Sequence, residues 1–404
     1  MRTPYLKYIV FLFEFVMDVI KFCVFNIFDW IVLPREKPVY SPAVLIIRLD
    51  AIGDYLLFRP FIEQIKKSEK YKDRRIVLCG NIVWKELAEH FDAPYVDKFI
   101  WVDRKQFAKS PSYRYRKLKE ITATGYESAI SPAYSRDLFY ADRMIKAVSA
   151  KEKIGSVGDP GTVGGWKKRI GDQYYTTLVP AKEGIEFELY RNQEFCEKLL
   201  SATLAVPDEL IPQGTDPAKL ELPANYAVLF ISVSSKYRKW PLEYFIKVGE
   251  YLANEHGLDL VVCGGREDME EARKFTESYP GKLCNRVGRT SLLELLTIIS
   301  GSRILISNET VASHFAALLK TPCVVVYNGN NYGRFTPYPG NITDNYHIVH
   351  HPEIARDPEN YKLLSNHYGY YNVLDISVIP TAAVIKKVQC ALKSSEPIGH
   401  GEHG

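Results

Sequence analysis

Two series of short apolar runs, each followed by a helix-length segment of mixed polarity, limit what this chain folds into. In the first series Ala43–Leu49, Arg75–Cys79, Phe99–Val102 and Ser128–Ser131 read as strands, with helices expected over Leu56–Lys67, Val83–His90 and Asp137–Ala147. The second series begins at Tyr226. Its expected strands are Ala227–Val233, Leu258–Cys263, Arg303–Ser307 and Cys323–Tyr327, and its helices Leu242–His256, Asp268–Ser278, Ser291–Ser300 and Val311–Leu319. Strands apolar on both faces belong in a parallel sheet covered by helices on both sides. The reading is α/β with two doubly wound halves, 41–205 and 224–393, joined by a Pro-rich polar stretch at 206–223. The pattern weakens between 155 and 185. Helices are expected near 187–203 and over 376–393, and 394–404 reads as a disordered tail. Ligands of such sheets sit at strand carboxyl ends, and with two halves the cleft between them is the expected site.

Residues 8–33 are long and apolar enough to suggest a bilayer span, but Glu14, Asp18, Lys21 and Asp29 interrupt them. A helical step of about 100° places these and Lys7 in one sector of roughly 80°. The rest of the circumference is Phe, Ile, Val, Leu and Trp. Such a helix fits a membrane interface, so 1–40 reads as an amphipathic membrane-associated helix and linker. A spanning helix, which would bury those charges at a few kcal/mol each, and a helix packed on the protein or its oligomer are the alternatives. No small-residue cleavage site follows, which argues against a signal peptide.

Composition narrows the classes further. The net charge of +4 does not announce nucleic acid. Seven cysteines without a C-x-x-C, odd in number, favour free thiols over a disulfide framework or zinc site.

Five stretches can carry chemistry. VLIIRLDAIGD (44–54) ends a strand on two carboxylates and a glycine. Gly53 permits a tight turn or close approach. Asp54 is either a helix cap or a base facing the cleft, and Asp50 a residue that shapes the turn. SVSSKYRKWP (232–241), with Ser232, Ser234, Arg238 and Lys239, reads as an anion site or a solvated basic loop. SNETVASH (307–314) starts a helix whose amides suit a diphosphate, with His314 one turn in. CGGRED (263–268) pairs glycines, Gly264 among them, with acids that suit ribose hydroxyls. The span 104–119 holds seven Lys/Arg and no acid, with aromatics between them. It suits nucleic acid, anionic lipid or a phosphorylated acceptor, and Trp166-Lys167-Lys168-Arg169 extends the same basic character.

Taken together these stretches resemble glycosyltransferase family 9, the lipopolysaccharide heptosyltransferase family. VLIIRLDAIGDYLLFRPFIEQIK is similar to its amino-terminal signature, and SVSSKYRKWPLEYF, VGRTSLLELLTIIS and ISNETVASHFAALLKTPCVVVY to three later elements in the same order. The resemblance implies a GT-B fold, two Rossmann-like domains facing a cleft. It implies inverting sugar transfer from a nucleotide diphosphate sugar, with no metal and no other cofactor. By the same resemblance Asp54 is the catalytic base. Arg238 replaces the family's phosphate-contacting lysine, and Thr310 and His314 match its phosphate-binding turn. Glu309 stands for an aspartate that holds the donor sugar, and Asp268 or Glu267 faces the ribose. Where the family has D-T-G, this chain has Glu309-Thr310-Val311.

The expectation is a transferase at the cytoplasmic face of a bacterial inner membrane, heptose being the first-guess sugar. The acceptor is a lipopolysaccharide core or other lipid-linked glycan, held through Arg104, Lys105, Arg114, Arg116 and Lys117; nucleic acid is not an expected partner. A membrane-tethered, non-catalytic binding protein of the same fold, an oxidoreductase and a nucleic-acid-binding protein are the competing readings. The missing G-x-G-x-x-G counts against the oxidoreductase.

Overall fold

A computed structural model describes residues 4–32, 39–158, 165–212, 214–233, 236–361 and 374–394, with the side chains of 4–12, 14, 32, 236 and 394 left aside. Of the expected disordered tail, Ser394 instead ends the helix Thr381–Ser394, and the rest lies outside these residues, as does Ser234.

Each series of apolar runs closes into a six-stranded parallel sheet. The first contains β1 (Ala43–Arg48), β2 (Arg75–Asn81), β3 (Lys98–Val102), β4 (Tyr126–Ser131), β5 (Ala150–Ser156) and β6 (Thr177–Val179), in the order β3-β2-β1-β4-β5-β6. The second contains β7 (Tyr226–Phe230), β8 (Asp259–Cys263), β9 (Leu283–Asn285), β10 (Ile304–Asn308), β11 (Cys323–Tyr327) and β12 (Tyr346–His350), in the order β12-β11-β10-β7-β8-β9. The two orders are the same once the second is read from its own first strand. The central strands are apolar because they are covered on both faces: β1, β7, β10 and β11 are buried at every residue. Strand order reverses between β1 and β4, where Val44 sits beside Ser128, and between β7 and β10, where Ala227 sits beside Ile304. A reversal leaves a crevice at the carboxyl ends of the two strands, so each sheet has one place where a ligand fits.

The chain forms two compact units. One comprises 1–51, 61–182 and 192–204; the other 52–60, 183–191 and 205–404. Helix α2 (Ile52–Lys67) begins in the second unit and changes membership at Pro60, which lies inside it.

Helix α1 (Pro4–Val32) belongs to the first unit, and the described part of its polar stripe, Asp18, Lys21 and Asp29, faces protein. The Asp29 carboxylate is buried and accepts from Arg114 Nη2 and Arg143 Nη1, each at 3.1 Å. Asn26 Oδ1 accepts from Arg143 at 2.6 Å and Lys146 at 2.8 Å. Asp18 pairs with Lys167, and Lys21 lies 4.4 Å from the Phe139 ring centroid. The apolar flank is what the helix shows to solvent: Trp30 is 77% exposed and Phe13 64%. An interfacial helix keeps its charges in water; here the described charges are spent on the first unit. Among the described residues no helix is long and apolar enough to cross a membrane.

Candidate active site

Strand β1 ends on Arg48 because its guanidinium is fully buried and satisfied there. Nε pairs with Asp50 at 3.0 Å, and Nη1 donates to Asn192 Oδ1 at 2.9 Å. The Asp50 carbonyl accepts from Asn81 Nδ2 at 3.0 Å and Trp84 Nε1 at 3.3 Å, so Asp50 fixes the turn. Ala51 caps α2, which puts Asp54 inside the first helical turn rather than at the cap. An anionic carboxylate is favoured there by the helix dipole.

Gly53 is glycine for close approach. A Cβ at this position would lie 2.8 Å from His314 Nε2 and 2.9 Å from Cδ2. His314 in turn shares a hydrogen bond of 2.6 Å with the Tyr338 hydroxyl through Nδ1. Burial pushes the His314 imidazole down to about 4, so it is neutral near pH 7. Residues 53, 54, 314 and 338 all belong to the second unit.

At the reversal between β7 and β10 the second unit collects the other expected residues. Thr310 caps the helix Val311–Leu318; Ser313 Oγ accepts from its amide at 3.2 Å and donates to its carbonyl at 2.7 Å. Arg238 Nη1 pairs with Glu309 Oε2 at 2.8 Å. Burial raises the Glu309 carboxyl, and Arg238 opposes that shift. Lys239 pairs with Asp268 Oδ1 at 3.3 Å and Glu271 at 2.5 Å. Burial works against the Lys239 ammonium, but the two carboxylates hold it above its ordinary range. Asp268 Oδ2 is buried and has no hydrogen-bond partner among the described residues. It lies 3.6 Å from where Gly264 would carry a Cβ, and Ser232 Cβ lies 3.5 Å from the same point. Ser232, Gly264 and Asp268 therefore meet at one edge of the β7–β8 carboxyl ends.

The basic span does not form one surface. It is two short helices that follow α3 (Lys85–Phe91), namely α4 (Arg104–Lys109) and α5 (Pro111–Thr122), with Ser110 accepting from Tyr113 at 3.3 Å as the cap between them. Arg104 pairs with Asp137 at 3.0 Å, and Lys117 with Glu120 at 2.8 Å. Lys105 and Arg116 are exposed. Arg114 is a correction to the expectation: it is buried, holds Asp29 and stacks 4.0 Å from the Phe25 ring centroid, so it faces no acceptor. Lys167 and Lys168 are likewise engaged, with Asp18 and with Asp172.

Arg48, Asn192 and Tyr338 were not singled out in the sequence. Arg48 alone left a signal, a cation inside a run of buried strand residues.

Two parallel sheets of one strand order, with polar side chains at the second reversal and a helix-start carboxylate near a neutral imidazole, define an α/β protein of doubly wound type. Residues 192–362 match the model of glycosyltransferase family 9 (heptosyltransferase). The chain is 23% identical over 361 residues to lipopolysaccharide heptosyltransferase 3 of Escherichia coli K12, covering 85% of this chain and 96% of that one. It is 24% identical over 166 residues to the lipopolysaccharide core heptosyltransferase OpsX of Haemophilus influenzae, a match spanning 40% of this chain and only 48% of that relative. The fold is similar to that of E. coli heptosyltransferase WaaC solved with ADP, with a TM-score of 0.63 at 17% identity over 86% of this chain and 99% of that one. The likeness to glycosyltransferase family 9 thus rests on residues 192–362 and on relatives of 23–24% identity.

Proposed function

We propose that the protein is an inverting, metal-independent glycosyltransferase of GT-B type. It moves a sugar, heptose first, from a nucleotide diphosphate donor to a lipopolysaccharide core or another lipid-linked glycan. Asp54 takes the proton of the acceptor hydroxyl as that oxygen bonds to the anomeric carbon. The bond to the diphosphate breaks on the opposite face, and the diphosphate leaves with the electron pair. A general base of this kind contributes about 10²–10⁴-fold. Arg238, placed by Glu309, offsets the charge on the departing diphosphate, with the amides of the Val311–Leu318 helix start beside it. Asp268 accepts from the ribose hydroxyls.

The observation that carries this reading is the approach of His314 to Gly53, which sets the helix start bearing Asp54 against the helix that follows β10. The exposed apolar flank of α1 supports a peripheral place at the cytoplasmic face of the inner membrane.

The experiment is thermal stabilisation of the purified protein by ADP, UDP, GDP and CMP and by their sugar conjugates, with Arg238→Ala alongside. Selective stabilisation by one diphosphate, lost in the variant, is the expected result. No response to any nucleotide overturns the reading. The Arg238–Glu309 pair also favours a second reading, a non-catalytic binding protein in which both side chains are occupied by each other. That protein would keep its biological function in an Asp54→Asn variant.

A further inference from the structure

A pocket of about 290 Å³ opens in the first unit at the reversal between β1 and β4. Its size is near the lower end of the ~300–1,000 Å³ common for small-ligand sites. Asp50 comes from the end of β1, Asp137 and the segment around it from the turn after β4, and Arg104 from the start of α4. Lys167 comes from the helix Gly165–Asp172, and Asp18 and Lys21 come from α1. Elements spread over about 150 residues of sequence thus converge on the place the sheet topology reserves for a ligand.

The charges in this pocket are unevenly matched. Lys167 pairs with Asp18, Arg104 with Asp137, and Arg136 with Asp172. Lys21 differs. Among the described residues no carboxylate lies within ion-pair distance of its ammonium, which rests over the Phe139 ring at 4.4 Å. An ammonium half-removed from water gains most from an anion brought in by a ligand. The lining carboxylates of Asp18, Asp50 and Asp137 can accept hydrogen bonds from hydroxyls, and the Phe139 and Tyr140 rings give an apolar wall. Hydroxyls, an apolar face and one negative group together describe an acidic sugar, phosphorylated or carboxylated.

We propose that α1 forms one wall of this pocket and that Lys21 recognises the anionic group of an acidic sugar on the acceptor. The ligand's role as acceptor rests on the transferase reading; the binding site itself does not. The helix is then part of the specificity machinery as well as the outer surface of the first unit.

The test is ligand-observed NMR on the full chain with glucose 6-phosphate, glucuronate, glucose and inorganic phosphate. Wild type, Lys21→Met and Lys21→Arg are compared, with Lys72→Met, an exposed lysine outside the pocket, as the control. Melting temperature and nucleotide binding are read on the same samples. Glucose 6-phosphate or glucuronate is expected to bind, at least tenfold more weakly in Lys21→Met and near wild type in Lys21→Arg and Lys72→Met. Which of the two binds names the anion. Binding that is equal for glucose, matched by inorganic phosphate alone, or unchanged in Lys21→Met overturns the proposal, as does no binding of either acidic sugar. Loss of nucleotide binding in wild type would instead strike the transferase reading, so the two failures are separable.

Discussion

The two units share a strand order and differ in what stands at its reversal. In the first, the crevice is walled by long side chains from separate elements, one of them a helix more than twenty residues upstream of β1 in the turn that carries Lys21. In the second, short residues and the start of the helix Val311–Leu318 line the crevice, and Arg238 and Glu309 form its ion pair. One backbone plan therefore carries two differently lined crevices, and what separates them is the residues grafted at the turns. Long cations suit a varied, bulky ligand. Backbone amides and small hydroxyls suit a phosphate approached closely.

Changes that separate the units test this contrast. The largest expected effect is on Asp54→Asn, which lowers turnover by about 10²–10⁴-fold in a sugar-transfer assay, while nucleotide-induced stabilisation in a calorimetric scan stays unchanged. Next is Asp29→Ala in the first unit. It leaves the Arg114 and Arg143 guanidiniums buried without their shared carboxylate. The expected loss is about 3–5 kcal/mol in chemical denaturation. Nucleotide binding by the second unit is the readout that should survive.

The third effect belongs to the second unit and to pH. His314 takes a proton near 6.5 when unfolded but only near 4 when folded. Between those values the unfolded chain binds more protons, so stability falls as pH falls through that window, by about 3 kcal/mol. His350, also pushed down to about 4 by burial, acts in the same direction. Comparing wild type with His314→Gln across pH 4–7 isolates the His314 share; a parallel profile would remove it.

Fourth, replacing Ile27 and Trp30 by Ser on the outer flank of α1 should leave the melting temperature nearly unchanged, because both are exposed. Co-sedimentation with phosphatidylethanolamine–phosphatidylglycerol vesicles should weaken at least tenfold, each apolar side chain being worth about 1.5–3 kcal/mol when buried. Equal sedimentation would break the membrane assignment. The smallest effect is Gly53→Ala. It presses a methyl group onto the His314 ring, which Tyr338 holds, and should cost about 1–3 kcal/mol in thermal unfolding.

The central strands were legible because burial on both faces demands continuous apolar runs. Leu242–His256 is found as expected, and the helices after β10 and before it shift by one residue at an end. The missed strands are β5, β6, β9 and β12, which are the sheet-edge strands or the neighbour of one. β6 and β9 have three residues each, and β5 opens with Ala150-Lys151-Glu152-Lys153, so a run of apolar residues is not needed there. Arg238, Lys239, Glu309 and Asp268 drew attention by their types, and the structure pairs Arg238 with Glu309 and Lys239 with Asp268. The partners of His314, Arg48 and Asp29 were not legible, because Tyr338, Asn192 and Arg143 reach them from distant elements. The stripe on α1 was visible, but its direction depended on Arg114 and Arg143, whose own positions carry no hint of Asp29. Even the basic span misled for this reason: a cation that answers a buried acid looks, in sequence, like one that awaits a ligand.

The buried triad of Asp29, Arg114 and Arg143 has a bearing on how this chain varies and how it is handled. Trimming the greasy first forty residues to make a more tractable protein would strand two guanidiniums in the first unit and strip a wall from its pocket. A natural lineage that sheds this helix must also exchange both arginines, so the three positions should be gained and lost together.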